Sequence, residues 1–148
     1  MNLEELKSID ARYRSEKPKL FMLSEPDRKA SDSELKQLEE AVVCSLPESY
    51  TRFLAVFGGG MYGFVNIFSA DPSSEWFFLS KLKEAIGYGL PDELIPFSED
   101  YAGGYYVLTR KGETALDQVS YWNPDGGLVA TEYSSVFEFV ARYAYEPA

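Results

Sequence analysis

At 148 residues, 45% of them apolar and including 10 Phe, 11 Tyr and 2 Trp, the chain has the size and side-chain volume for one domain with its own core, which argues against disorder over most of its length. Its formal net charge is −10, which disfavours binding to phosphate backbones. Histidine is absent and Cys44 is the only cysteine, which removes an internal disulfide, the usual triad base and the commonest zinc ligand together.

Leu3, Leu6 and Tyr13 lie among charges and predict a short amphipathic N-terminal helix. Ser15 to Lys29 holds Pro18, Pro26 and many charges around the apolar patch Leu20–Leu23, and reads as a loop with one short strand. Ser31 followed by Glu34 is a capping-box pattern, after which Leu35, Leu38 and Val42 recur at helical spacing. A second helix is expected from Leu46-Pro47, proline suiting the first helical position. Tyr50, Phe53, Leu54 and Phe57 form its apolar stripe, and Gly58-Gly59-Gly60 stop it.

Phe64–Ser69 reads as a buried strand and Asp71-Pro72 as a turn. Trp76–Ile86 is aromatic in its first half and helical in its second, with Gly87 and Gly89 ending it; Leu94–Phe97 has the content of a short strand. Three strand-like runs follow, Gly104–Arg110, Gln118–Trp122 and Leu128–Glu132. Lys111-Gly112 separates the first two and Asn123-Pro124-Asp125-Gly126-Gly127 the others, which predicts an antiparallel meander. Ser135 and Glu138 repeat the capping pattern before a last helix with Phe137, Val140, Ala141 and Ala144 on its apolar side. The fold class expected is α+β, a mainly antiparallel sheet of about four to six strands with helices packed on one face.

Candidate chemistry is sparse. Cys44, beside Val42 and Val43, suits a buried thiol better than a nucleophile. The glycine triplet follows a helix, whereas phosphate loops precede one. Asp71, Glu75, Glu99, Asp100, Asp117 and Asp125 are scattered and show no calcium-loop spacing; solvated loop carboxylates are the reading preferred over a glycosidase pair. No cofactor, metal site or catalytic residue is expected.

Charge is unevenly spread. Up to Ser31 there are seven Lys/Arg and six Asp/Glu; beyond it there are seven and eighteen, and no basic residue lies between Lys83 and Arg110. Such a surface would steer a basic partner, although excess acid also serves solubility. Tyr101, Tyr105, Tyr106, Tyr121 and Trp122 fall close to Glu99, Asp100 and Asp125, the mixture an interface for a basic protein would use. Along the first run Tyr105, Val107 and Thr109 share one face and Tyr106, Leu108 and Arg110 the other, so one set fills the core and the other faces out. Packing of all five rings in the core or at the sheet edge is the competing reading.

The stretch SDSELKQLEEAVVCSLPESYTRFLAVFGGG resembles the opening of the SUKH superfamily, the Smi/Knr-like domain. The resemblance is carried by Leu35, Leu38, Glu39, Leu46, Pro47, Tyr50, Phe53, Leu54, Gly58 and Gly59. LIPFSEDYAGGYYVL, QVSYW and SSVFEFVARY are similar to later family segments, in the family's order, over about 31–143. The chain is then a single domain over 1–148, with an unmatched N-terminal helix and loop over 1–30. The resemblance implies a non-catalytic domain whose Tyr50, Phe53 and Leu54 are core, Gly58 a helix stop and Trp122 a strand anchor. It implies an immunity protein that binds and neutralises a cognate, nuclease-type bacterial toxin, or, as in fungal relatives, a regulator acting through protein contacts. A carboxylate-dependent hydrolase is the remaining alternative. The expected contact residues are Glu99, Asp100, Tyr105, Trp122 and Asp125, facing a basic toxin; nucleic acid and membrane are not expected partners, and a homodimer through an open sheet edge stays an option. No run nears the roughly 20 apolar residues of a membrane span, and MNLEELKSID lacks the build of a signal peptide, so the expected location is the cytoplasm.

Overall fold

The computed structural model describes residues 1–22 and 26–145. Helix α1 (Leu3–Glu16) opens the chain. The Asn2 side chain accepts the Glu5 amide hydrogen at 2.8 Å, satisfying one of the free donors of a helix start. Leu3 and Leu6 are buried in the common core, and the Tyr145 hydroxyl donates to Asp10 from the far end of the sequence. Helix α1 is therefore part of the packing, not an appendage to it.

The strand expected around Leu20 does not form. Its place is taken by the five-residue helix α2 (Pro18–Met22), which begins with proline, a residue already shaped for a first turn; Leu23 lies outside the described residues. Helix α3 (Asp32–Val42) carries the full capping box. The Ser31 hydroxyl accepts the Glu34 amide hydrogen at 3.2 Å, and the Ser31 amide donates to the Glu34 carboxylate at 3.0 Å.

Glu34 also accepts both terminal nitrogens of Arg28, at 2.7 and 2.5 Å. The Arg28 guanidinium, followed by the Ser31 amide, holds the Glu34 carboxyl down to about 2. A carboxyl lowered on folding stabilises the native state above its unfolded pKa and ceases to do so as pH falls through the folded one. Glu34→Gln keeps the cap but loses the charge. It is expected to lower Tm at pH 7, with the gap from wild type closing between about pH 4.5 and 2. Thermal melts across that range check this; a gap that is constant with pH would contradict it.

Pro47 is the cap of α4 (Glu48–Val56) and not its first residue, so the helix begins one residue later than expected. Tyr50, Phe53 and Leu54 are fully buried, and the Tyr50 hydroxyl donates to the Phe68 carbonyl at 2.7 Å. Gly58 stops the helix at φ +83°, and a Cβ there would lie 2.3 Å from the Asp27 carbonyl oxygen. Glycine is thus required both by conformation and by space. The chain then forms an antiparallel hairpin, β1 (Gly60–Tyr62) and β2 (Val65–Ile67). The buried strand expected over Phe64–Ser69 is therefore shorter, and Phe64 sits in the hairpin turn at 82% exposure.

Helix α5 (Phe78–Gly87) occupies the ambiguous stretch. The meander follows as β3 (Leu94–Glu99), β4 (Tyr105–Lys111), β5 (Thr114–Asn123) and β6 (Gly127–Ala130), paired antiparallel in that order. Helix α6 (Val136–Phe139) continues as a π-helical segment, Val140–Tyr145. Ser135 caps α6, but the Glu138 carboxylate accepts from Ser134 and not from the cap residue, so the reciprocal box is shifted by one.

The architecture is α+β with two antiparallel sheets. Helix α6 lies on the sheet face that carries Tyr106, with Phe139 against its ring at 4.8 Å; α4 and α1 pack behind it. On the other face Phe68 meets Tyr105 at 6.5 Å, and α5 packs against β3. Two side chains join the two sheets. The Ser98 hydroxyl of β3 donates to the Asn66 carbonyl of β2 at 2.6 Å. The buried Asn66 amide donates to the Glu99 carbonyl at 2.8 Å, and its oxygen accepts the Glu99 amide hydrogen at 2.9 Å.

Candidate functional site

Register decides which aromatic rings of the meander reach the surface. Glu99, Tyr105, Trp122 and Leu128 are successive cross-strand partners on one face, while Tyr106, Tyr121 and Val129 are partners on the other. The first row turns inward: Tyr105 is 3% exposed and Trp122 5%, with their rings 6.2 Å apart. Their burial leaves these two rings little surface to offer a partner, and Phe68 stands at a steep angle to Tyr105. Trp122 sits as the strand anchor that the resemblance implied.

The other three expected residues have different settings. Glu99 is held by Lys81 at 3.0 Å, and Lys81 in turn lies 4.9 Å from the centre of the Trp76 ring. Asp100 accepts the Tyr121 hydroxyl and the amide hydrogens of Ala102 and Gly104, both at 2.8 Å. Asp125 is exposed in the β5–β6 turn, where the Asn123 side chain accepts its amide hydrogen at 3.0 Å. The structure thus aligns Glu99 with Tyr105 and Trp122 in one row and places Asp125 apart, at the tip of the hairpin.

What sequence alone misses is a tyrosine surface on the opposite face. Tyr106, Tyr133 and Tyr143 gather over the buried Phe139, and Tyr121 adjoins Tyr106. Tyr106 lies 5.3 Å from both Tyr121 and Tyr143, and Tyr133 lies 6.2 Å from Tyr143. They line an open depression of about 560 Å³ that also takes in Val129, Asp100 and Glu132. A neighbouring depression of about 570 Å³ shares Glu132, Tyr133 and Tyr143 and extends to Phe64. Tyrosine supplies large, stiff contact area with a polar tip, which suits protein recognition. Strand alternation does separate Tyr106 from Tyr105, but only the packing of Phe68 and Phe139 shows which ring is covered.

Asp100 organises one side of this surface. Burial pulls its carboxyl upward, but hydrogen bonds from Tyr121, Ala102 and Gly104 outweigh that and hold it below the usual carboxylate range. The same bond, with burial, pushes the Tyr121 hydroxyl up. Tyr121→Phe removes one donor, so the Asp100 pKa is expected to rise, read by NMR titration of its carboxyl carbon; an unchanged value would show that the two backbone amides alone set it.

Of the other carboxylates singled out in the sequence, Glu75 is exposed and two have structural partners. Asp71 accepts Ser73 and pairs with Arg28, and Asp117 accepts the Ser49 hydroxyl at 2.8 Å. Among the described residues no three Asp, Glu or Cys side chains gather as a metal set, and no helix is long and apolar enough to cross a membrane.

Comparison with known proteins agrees with this architecture. A search of curated proteins found no match. A crystal structure of a protein from Pseudomonas syringae pv. tomato is similar in fold, with a TM-score of 0.70 at 22% identity, over 95% of this chain and 99% of that one. The family model described as SUKH_5, SMI1-KNR4 cell-wall, matches residues 11–144, beginning well ahead of the resemblance at Ser31. The capped α3, the Tyr50–Phe53–Leu54 core, the Gly58 stop and the Trp122 anchor are thus features of a member: the chain belongs to the SUKH, or SMI1-KNR4, family.

Proposed function

We propose that this chain is a non-catalytic immunity protein that captures a basic protein toxin of nuclease type. The observation that carries this reading is the acid-rimmed tyrosine surface formed by Tyr106, Tyr121, Tyr133 and Tyr143 with Asp100 and Glu132. Aromatic side chains dominate the energy of protein contacts, and a carboxylate rim favours a cationic partner and speeds its approach. A net charge of −10 acts in the same direction at longer range. A nuclease presents a basic groove to its substrate, and a protein of this charge and shape can occupy or border it.

Support for the non-catalytic part comes from the engagement of the acids. Asp100 is committed to three donors and Glu99 to Lys81, and histidine is absent. The test is co-expression with the product of the adjacent gene. Rescue of growth together with a complex that survives gel filtration is the expected result. Rescue without a complex, or a turnover reaction abolished by changing one acidic side chain, would overturn the reading.

A further inference from the structure

Strand β6 ends the four-stranded sheet, and no strand lies beyond it among the described residues. Its free backbone groups follow from β5. The Val119 amide donates to the Tyr133 carbonyl at 3.0 Å, and the Val119 carbonyl accepts the Thr131 hydroxyl at 2.6 Å. The Val119 backbone therefore points toward the β6 side. Backbone direction alternates along a strand, so Tyr121 and Asn123 point the same way, toward their register partners Val129 and Gly127. It follows that Leu128 and Ala130 turn their N–H and C=O groups away from the sheet.

The side chains at this edge carry a second signal. Leu128 is 52% exposed and Val129 53%, and they stand on opposite faces, beside Trp122 and Tyr121 respectively. A protein pressed against either face covers only one of them. A strand added along the edge covers both. The strand is short, but proline and charge, two of the means of blunting an open edge, are missing from Gly127–Ala130.

Acid marks both ends of the strand, with Asp125 before it and Glu132 after it. Glu132 meets Arg142 at 3.3 Å in an exposed pair, the kind that exchanges at little cost. Two copies of this chain paired antiparallel at β6 would set Asp125 of one toward Glu132 of the other, with ten net negative charges on each, which opposes self-pairing. Building on the reading that the chain binds a basic protein, we infer that β6 accepts an extended segment of that partner as a fifth strand. The segment alternates apolar side chains over the Tyr121 and Trp122 faces and carries Lys or Arg at either end, toward Glu132 and Asp125.

The probe is the toxin from the co-expressed complex. Ala130→Pro deletes an outward N–H while sparing the bonds to β5, a substitution that edge strands tolerate. Its Tm is expected to stay within a few degrees of wild type while toxin affinity falls at least tenfold. In the unaltered complex, amide exchange is expected to slow at both Leu128 and Ala130, a measurement that needs no variant. Wild-type affinity for Ala130→Pro, or free-state exchange at both amides in the complex, overturns edge pairing but leaves the protein-binding reading standing. Failure to form any complex overturns both. A concentration-dependent dimer that Ala130→Pro abolishes would make a second copy the occupant and sink the partner named here.

Discussion

Phe139→Ala is expected to lose about 3–5 kcal/mol of stability, the range for truncating a buried aromatic residue. Phe139 is fully buried. Its ring stands edge-on to Phe97 of β3 at 5.1 Å and to Tyr133 at 5.4 Å, tilts against Tyr106 of β4 at 4.8 Å and stacks under Tyr143 at 5.1 Å. Each such pair adds roughly 0.5–1.5 kcal/mol beyond area burial. Three of the four neighbours are tyrosines of the candidate surface, so the loss reaches that surface as well. Denaturant unfolding gives the stability. Near-UV circular dichroism gives the order of the rings, which is expected to weaken in the folded variant. A loss below about 1 kcal/mol would mean that the cluster repacks freely and is no rigid support.

Gly104→Ala is the second large effect, and its cause is spatial. Gly104 has no positive φ, so its backbone would accept any residue. The obstacle is the added Cβ, which would lie 2.0 Å from the Tyr121 hydroxyl oxygen, 2.4 Å from its ring and 2.7 Å from the Asp100 carboxylate. Tyr121 must swing away, which breaks its bond to Asp100 and disorders the acidic end of the surface. A cost of about 1–3 kcal/mol is expected, as for overpacking. In a Tyr121→Ala background the same substitution should cost much less, a coupling that a double-mutant cycle measures. Equal costs in both backgrounds would show that the clash with Tyr121 is not the reason for glycine.

Local signals were the legible part of this fold. Ser31 with Glu34 marked a helix start because two side chains settle two backbone donors within four residues, and nothing distant alters that. The meander was legible because its links are short and rich in turn residues. Where reading failed, weak local signals misled it. Pro18–Met22 is helical although its apolar patch suggested a strand, and its proline is shaped for a first helical turn. Strand β1 is three residues beginning with glycine, and its pairing depends on β2, not on its own composition.

The candidate site shows the same limit. Strand alternation separated Tyr105 from Tyr106 and Tyr121 from Trp122, so the sequence contained both rows. It did not contain the fact that Tyr105 and Trp122 are buried while Tyr133 and Tyr143 extend the other row. Asp100 was recognisable as an acid near aromatic residues. Its actual partner, the Tyr121 hydroxyl, lies across two strands.

The π-helical end of the chain bears on which kinds of genetic change this domain tolerates. Val140–Tyr145 carries a wider turn than an α-helix, and such turns hold what amounts to one extra residue. Within that turn Tyr143 stacks on Phe139, Ala144 is buried and the Tyr145 hydroxyl reaches α1. Exchanging one residue for another there perturbs a single contact. Removing a codon rephases everything downstream, swinging the stacked ring and the terminal hydroxyl off their targets at once. The spacing of this segment is thus more tightly constrained than its spelling, and frame-preserving deletions are the lesions it resists least.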